Sequence, residues 1–356
     1  MNQPPAFLAS LLDAAGPSGF EVDAARLWRA EAETFADSVT TDVSGNTIAT
    51  VNLDGRPRIM LAGHIDEIGL QVTHIDEEGF LYIAGIGGWD PQVLVGQRVK
   101  ILGSPGGVVG VVGKKAIHLL KVAERKSASQ IDQLWVDVGV GSRAEATELG
   151  LRVGDAMVID AAMVRLAGDR IASRAIDNRI GAYVVLEALR LLSDLSPTAS
   201  AVAVATVQEE IGGGSGGGAR SSAFGLEPDA ALVVDVTFST DVPDIEKKQL
   251  GEHNLGGGPV LSRGSAAHPV IFDLLVEVAE AEDIAHTIQA SPRSTRTDAD
   301  SIYLTRSGVP TGLVSVPNRY MHSPNEIVSL TDLESAARLL AAFVMSLDED
   351  TDFTPR

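Results

Sequence analysis

The residue types most able to bind a divalent metal or to move a proton gather at a few points of the chain: His64, Asp66, Asp177, Glu209, Glu210, Asp235 and His322. Glu209 and Glu210 are adjacent and follow residues 199–207, a run made almost wholly of Ala and Val. Such a run reads as a strand buried on both faces, as in a parallel sheet. Two neighbouring carboxylates at its end repel each other and resist desolvation, so a cation is expected beside them. Two imidazoles with three carboxylates suit borderline cations such as zinc or cobalt, whereas calcium prefers an all-oxygen shell. Charge accounting fits two divalent ions and a bridging hydroxide, set against Asp177, Glu210 and Asp235 as ligands and Glu209 beside them. Pleat alternation is expected to turn Glu209 and Glu210 to different sides, one to bind metal and the other to handle protons. Taken singly, each residue has a plainer reading. Asp177 could cap a helix, His64 or His322 could be a hydrogen-bonded structural histidine, and Asp235 could be a turn residue. The set is far more specific than its members.

The elements that would position these residues alternate along the chain. A short helix over 7–14 ends at Gly16-Pro17-Ser18-Gly19, and a second is expected over 22–35. Residues 42–46 are turn chemistry leading to a strand over 47–51. A buried strand over 58–62 ends at Gly63-His64-Ile65-Asp66-Glu67. From about 71 to 160 the texture changes to short β-rich runs (81–86, 98–102, 108–112, 134–138) cut by Gly, Pro and Asp, which reads as a small all-β module. Helical periodicity returns from Ile176, with Asp177 opening that helix. Strands follow over 199–207, 230–234 and 312–316, with helices over 269–282 and 330–345, and 348–356 is expected to be a frayed tail. The expected fold is α/β: a mixed sheet flanked by helices (1–70 and 161–356), interrupted by an inserted β-rich domain (71–160). In open α/β sheets, sites form beyond the carboxyl ends of the strands, where His64, Glu209, Glu210, Asp235 and His322 are expected.

Composition narrows the classes. The 356 residues are 45% hydrophobic and include 36 glycines, enough for a sizeable core with many tight turns. With 28 Lys+Arg against 48 Asp+Glu the formal net charge is −20, and no basic stripe stands out, which disfavours nucleic acid and anionic membranes as partners. Cysteine is absent, which excludes disulfides, thiolate metal sites and a cysteine nucleophile and suits a reducing cytoplasm. The first sixteen residues have no signal-peptide pattern, and no run approaches the roughly 20 apolar residues of a spanning helix. A soluble cytoplasmic protein is expected.

Several motifs carry a family resemblance: Gly16-Pro17-Ser18-Gly19-Phe20-Glu21, Gly63-His64-Ile65-Asp66-Glu67-Ile68-Gly69, Gly87-Gly88-Trp89-Asp90-Pro91-Gln92, Ala175-Ile176-Asp177-Asn178-Arg179, Val207-Gln208-Glu209-Glu210 and Arg319-Tyr320-Met321-His322-Ser323-Pro324. In this order, over nearly the whole chain, they resemble the tetrahedral dinuclear metalloaminopeptidases. That group holds glutamyl aminopeptidase and the deblocking aminopeptidases, and some of its members carry an endoglucanase label. The resemblance implies a metalloaminopeptidase that removes N-terminal residues from peptides with two divalent ions per subunit. It implies that Asp177 bridges the ions, that His64 and Asp235 complete one site and Glu210 and His322 the other. Glu209 would be the general base that activates the shared water. Asp66 would stand behind His64 and fix its tautomer. The inserted domain would mediate dimerisation, and dimers would build a hollow homododecamer.

The chain departs from that pattern in two places. The family's short segment after the glutamate pair is here Gly212-Gly213-Gly214-Ser215-Gly216-Gly217-Gly218-Ala219, a few residues longer and without its arginine, which suggests a more mobile loop. The glycine before Thr-Asp-Ala is replaced, giving Arg296-Thr297-Asp298-Ala299. Arg296, with Arg293, either favours acidic N-terminal residues at the substrate pocket or is simply a surface arginine on a loop. Three other classes compete. A deacylase or carbohydrate hydrolase could use the same metals, and a non-catalytic assembly protein could keep the shell. Gly212-x-Gly214-x-x-Gly217, with Asp235 about 20 residues on, also matches a dinucleotide-binding fingerprint. Glu209 and Glu210 oppose that last reading, because they would face the pyrophosphate.

Overall fold

The computed structural model describes residues 3–104, 106–122, 124–212, 217–264 and 266–356. Among these, the strands form an eight-stranded mixed sheet, a three-stranded sheet and a closed six-stranded barrel. Across the large sheet the order is Ser38–Thr41, Thr47–Val51, Ser200–Thr206, Arg58–His64, Ala230–Phe238, Thr311–Asn318, Val260–Arg263 and Thr287–Ala290. Its middle strands, from Ser200–Thr206 to Thr311–Asn318, run parallel.

Pleating explains why these strands read as unbroken apolar runs. Ile59 and Leu61 join one core, together with Ala201, Ala203, Leu232 and Val234. Met60 and Ala62 join another on the opposite face, together with Val202, Val204, Ala231 and Val233. Helices Ile176–Leu195 and Leu330–Met345 bury one face, and Gly217–Leu226 with Ala299–Ile302 the other. With both sides covered there is no place for polar alternation.

The register brings the chemistry to one end. Thr206 pairs with His64 and Asp235 with Ser315, so the chain leaves these parallel strands on the same edge. Helix Ile176–Leu195 reaches that edge through a close approach of backbones: a Cβ on Gly63 would lie 2.4 Å from the Gly181 carbonyl carbon. No residue larger than glycine fits there, and the contact seats the start of the helix against the end of the His64 strand.

A buried ionic cluster locks the same corner. Glu67 accepts from Arg174, from Arg179 Nη2 at 2.8 Å and from the Gly16 amide at 3.1 Å. Arg179, fully buried, also donates to the carbonyls of Leu11 (2.9 Å) and Ile65 (3.1 Å). Burial pushes its pKa down to about 10, which still leaves it charged at neutral pH. The Gly16 and Glu67 motif segments are thus fastened to the first helix, Ala6–Asp13, through this cluster.

The barrel runs in the order Gly69–Ile75, Leu81–Ile86, Trp135–Asp137, Val108–Gly113, Arg98–Ile101 and Ala156–Ile159, around its own core of Leu70, Val72, Val99, Val136 and Met157. The four β-rich runs read from the sequence lie in it, but Gly69–Ile75 and Ala156–Ile159, which close it, were not foreseen. The segment is not purely β either, since it includes the helix Arg143–Glu148. The three-stranded sheet, Val164–Arg165, Arg170–Ser173 and Glu326–Ser329, also carried no clear sequence signal.

Other details differ from expectation. The strand expected to stop at 234 continues to Phe238, so Asp235 lies within it rather than after it. Asp177 does not open a regular helix: it and Asn178 have non-helical dihedrals and a cis peptide between them, and the regular turns come afterwards. The expected frayed tail is partly fastened, because Phe353 packs into the main core at 7% exposure. Residues 213–216 of the glycine run lie outside the described residues, and with them the expectation of a mobile loop.

Gly63→Ala should cost about 1–3 kcal/mol through overpacking, read as a lower urea midpoint with unchanged slope. Unaltered stability would show that the two backbones can separate freely.

Candidate metal centre

At the carboxyl edge of the sheet, Asp177 stands between two imidazoles. Its Oδ1 lies 3.3 Å from His64 Nε2, and its Oδ2 lies 3.3 Å from His322 Nε2. Asp235 Oδ1 approaches His64 Nε2 at 3.9 Å, and Glu210 Oε2 approaches His322 Nε2 at 3.4 Å. Two groups result, His64–Asp177–Asp235 and Asp177–Glu210–His322, each with its ligand atoms within 4.8 Å of one another. Each offers one imidazole and two carboxylates, and Asp177 serves both. Glu209 belongs to neither group; its Oε2 lies 3.9 Å from His64 Nε2.

Both histidines have Nδ1 engaged on the side away from the cluster. His64 Nδ1 meets the Asp66 carbonyl at 3.2 Å and Asp66 Oδ1 at 3.4 Å. His322 Nδ1 meets the Gly88 carbonyl at 2.8 Å. With Nδ1–H donating to these oxygens, Nε2 is the nitrogen aimed at the carboxylates on each ring, and it would offer its lone pair to a bound metal. Gly88 belongs to the loop after the barrel strand Leu81–Ile86, so the barrel segment reaches into the site. Its neighbour Gly87 has φ +74°, and a Cβ there would meet Ile68 Cγ2 at 2.6 Å.

Asp66 does more than stand behind His64. Its oxygens accept the backbone amides of Glu209 and Glu210, both at 3.2 Å, and the Ser18 hydroxyl at 2.6 Å. The glutamate pair therefore does not sit on a pleated strand. The strand ends at Thr206, Gln208 takes φ +62°, and Glu209–Gly212 forms a helical turn whose first amides point at Asp66. The two glutamates do have separate surroundings, but the turn produces this rather than pleat alternation.

Every metal residue expected from the sequence lies here, and these residues with Glu209 line a cavity of about 710 Å³. Asp66 is fully buried behind it. Arg293 and Arg296 are exposed and line the same cavity, along with Phe238, Leu250 and Met321. The remaining histidines stay outside it; His253, for example, is engaged by Thr287 and the Leu250 carbonyl.

Sequence reading missed two residues that hold the site together. Asn46, fully buried, accepts the Val207 amide at 3.1 Å and donates to the Gly218 carbonyl at 3.0 Å, fastening both flanks of the glycine run. Glu326 accepts the amides of Asp177 and His322. Asp298, quoted only within a motif, is buried against the Thr206 hydroxyl. Asn46 sat in a stretch that read as an ordinary turn. Glu326 had no apolar run before it to mark it.

The electrostatics call for positive charge. Burial, then repulsion from Asp177, pushes Glu210 well above the usual carboxylate range. Burial, then the neighbouring carboxylates, pushes Glu209 up to about 9 and Asp235 up to about 8. Burial disfavours a charged His64, but hydrogen bonds to Asp177 and Asp66 outweigh it and raise its pKa well above normal. Burial likewise acts against ionised Asp177, yet His322 and His64 hold it well below the usual range. Glu210 Oε1 is buried and has no hydrogen-bond partner among the described residues. An orphaned buried oxygen beside an imidazole and a shared carboxylate is what a bound cation would satisfy.

Paired imidazole and carboxylate groups around one shared carboxylate, at the carboxyl edge of an α/β sheet, define a metal-dependent hydrolase class. Residues 45–339 match the model of the M42 glutamyl aminopeptidase family, and the chain belongs to that family of metal-dependent peptidases. It is 37% identical over 321 residues to a lysyl aminopeptidase of Pyrococcus furiosus, covering 90% of each chain. The structure resembles a TET aminopeptidase from a marine sediment Thaumarchaeota archaeon, with TM-score 0.91, 34% identity and 96% of each chain covered. It also resembles the Pyrococcus horikoshii TET1 peptidase, which can assemble into a tetrahedron or a large octahedral shell, with TM-score 0.84, 30% identity and coverage of 96% and 99%.

Chelation supplies a pH test. Without cations, Glu209 and Asp235 have folded pKa values near 9 and 8, above the ordinary carboxylate range near 4. The stability they contribute is fully present below that ordinary range and is lost as pH rises through about 8 to 9. The chelated protein should therefore melt several degrees lower at about pH 8.5 than at about pH 6, and the metal-loaded protein should not show this fall. Equal pH dependence in both forms would count against a cation at these carboxylates.

Proposed function

We propose that this chain removes N-terminal residues from peptides using two divalent cations, zinc or cobalt, with Glu209 as general base. His64, Asp177 and Asp235 would hold one cation, and Asp177, Glu210 and His322 the other. The observation that carries the reading is the two-sided Asp177 carboxylate, one oxygen toward each imidazole at 3.3 Å. When bound, the cations would acidify a shared water and polarise the scissile carbonyl.

The chain's own groups supply the rest. Glu209 is left over once both ligand groups are complete, yet it lines the cavity beside them. Its carboxylate takes a proton from the attacking water as the oxygen bonds to the carbonyl carbon. It then delivers that proton to the nitrogen of the leaving peptide as the C–N bond breaks, a role typically worth about 10²–10⁴-fold. Its raised pKa in the cation-free cluster reflects burial and carboxylate repulsion, and nearby cations would bring it down toward the working pH. Asp66 holds the Glu209 and Glu210 amides, which keeps base and ligand at a fixed spacing.

Arg296, with Arg293, provides positive charge at the cavity and would favour an acidic N-terminal side chain. Nothing observed favours a deacylase, a carbohydrate hydrolase or a dinucleotide-binding enzyme. For the last of these, Glu209 and Glu210 line the cavity with other carboxylates, a poor setting for a pyrophosphate.

The barrel segment, which begins with the strand Gly69–Ile75, is read as the inserted self-association domain expected over 71–160, and the assembly as a homododecameric shell. Two things support this: the shells formed by the Pyrococcus horikoshii neighbour, and the outward-facing Val109 and Val111 of one barrel strand, which are 54% and 46% exposed.

Glu209→Gln should retain both cations by calorimetry while kcat falls by about 10²-fold or more. A variant that turns over peptide normally would refute the assignment. Arg296→Ala should lower the ratio of glutamyl to leucyl arylamide hydrolysis about tenfold or more, the loss of a hydrogen bond to a charged group. A clear leucyl preference in the parent would remove the acidic-pocket reading.

A further inference from the structure

We infer that Glu326 is a positioning residue that sets the spacing between Asp177 and His322 by gripping the backbone of both. The inference rests on the two-cation reading above. Glu326 is 2% exposed. Its Oε2 accepts the Asp177 amide at 2.8 Å, and its Oε1 accepts the His322 amide at 2.7 Å. Neither amide belongs to a regular element. Asp177 lies in the non-helical start of its helix, and His322 has φ +58° in a turn.

The fold delivers Glu326 to this point by register. It opens the strand Glu326–Ser329, which pairs antiparallel with Arg170–Ser173, and Ser173 is directly opposite Glu326. From that pair the chain reaches Asp177 four residues after Ser173, and His322 lies four residues before Glu326. One carboxyl group therefore spans two segments that join the same end of that strand pair.

A neutral side chain would fill this volume more cheaply, because a carboxylate buried beside Asp177 is desolvated and repelled. What the carboxyl group adds is two oxygens held a fixed distance apart, one placed at each of the two amides. A glutamine at this position presents one acceptor and one amide donor, so it can satisfy only one of the two amides and opposes the other. Asp177 belongs to both candidate ligand groups and His322 to one. Losing the grip should therefore affect the Asp177–Glu210–His322 group more than the His64–Asp177–Asp235 group.

The test uses the full chain carrying Glu326→Gln, with Glu326→Asp as the variant that keeps two acceptors but shortens the reach. In calorimetric titration with zinc or cobalt, Glu326→Gln should bind one of the two cations about 10- to 100-fold less tightly than the parent does, the usual cost of losing a group that orients a ligand. kcat should fall in step, KM should stay within about twofold, and excess cobalt should restore part of kcat. In a crystal structure of the metal-free variant, the His322 turn should be displaced. Parental affinity for both cations would overturn the inference, and so would an unmoved His322 turn. A parent protein that binds fewer than two cations would instead count against the two-cation reading. The metal-free structure would then still decide whether Glu326 positions His322 and Asp177.

Discussion

Repulsion among buried carboxylates is the constraint on which the rest of this structure depends. Asp177, Glu209, Glu210, Asp235 and Asp298 converge at one edge of a sheet, with Asp66 and Glu326 packed directly behind. In water each would be ionised at little cost; here each is desolvated and faces the others. Two neighbouring imidazoles offset only part of that charge. The arrangement is reasonable as the resting place of cations, and the sheet, the helices and the barrel loop all act to keep the groups from moving apart.

That restraint is visible in the backbone. Ala175, Gln208, Arg296, Tyr320 and His322 all have positive φ without being glycine, and each lies in or beside the segments that carry the site. Such conformations cost of order 1–3 kcal/mol each and persist only where the surroundings over-determine them. Here the surroundings are specific. Asp66 holds the amides after Gln208, Asn46 holds Val207, Asp300 accepts the Arg296 amide, and Glu326 holds His322. The two apolar cores on either face of the sheet supply the stability that makes these local costs tolerable.

The barrel segment takes part in this framework. Its Gly88 carbonyl is the acceptor that orients His322, and the Trp89 indole pins the same loop by donating to the Gly69 carbonyl at 2.7 Å. The segment that the family resemblance associates with assembly is thus mechanically continuous with one half of the candidate metal centre. An α/β core with a second module touching its site gives that module a route to influence ligand geometry without contributing a ligand side chain of its own.

Much of this was legible in one dimension. The apolar runs before His64 and Glu209 marked buried parallel strands, because a strand covered on both faces has no room for polar alternation. The ligand types were legible because their chemistry is intrinsic to the side chain. The resemblance supplied the shared role of Asp177, which no run or spacing implied. What sequence could not provide were the features created by chain crossings. The helical turn of Glu209 and Glu210 exists because Asp66, 143 residues earlier, accepts an amide there. Glu326 matters because strand register sets it between two turns, and Asn46 because it meets both flanks of a loop 161 or more residues away. The sequence by itself therefore determined which groups could bind metal and which strands would be buried, since both follow from local side-chain properties. Only the tertiary structure decided how the ligands are held apart and aimed, since that depends on hydrogen bonds between segments distant in the chain.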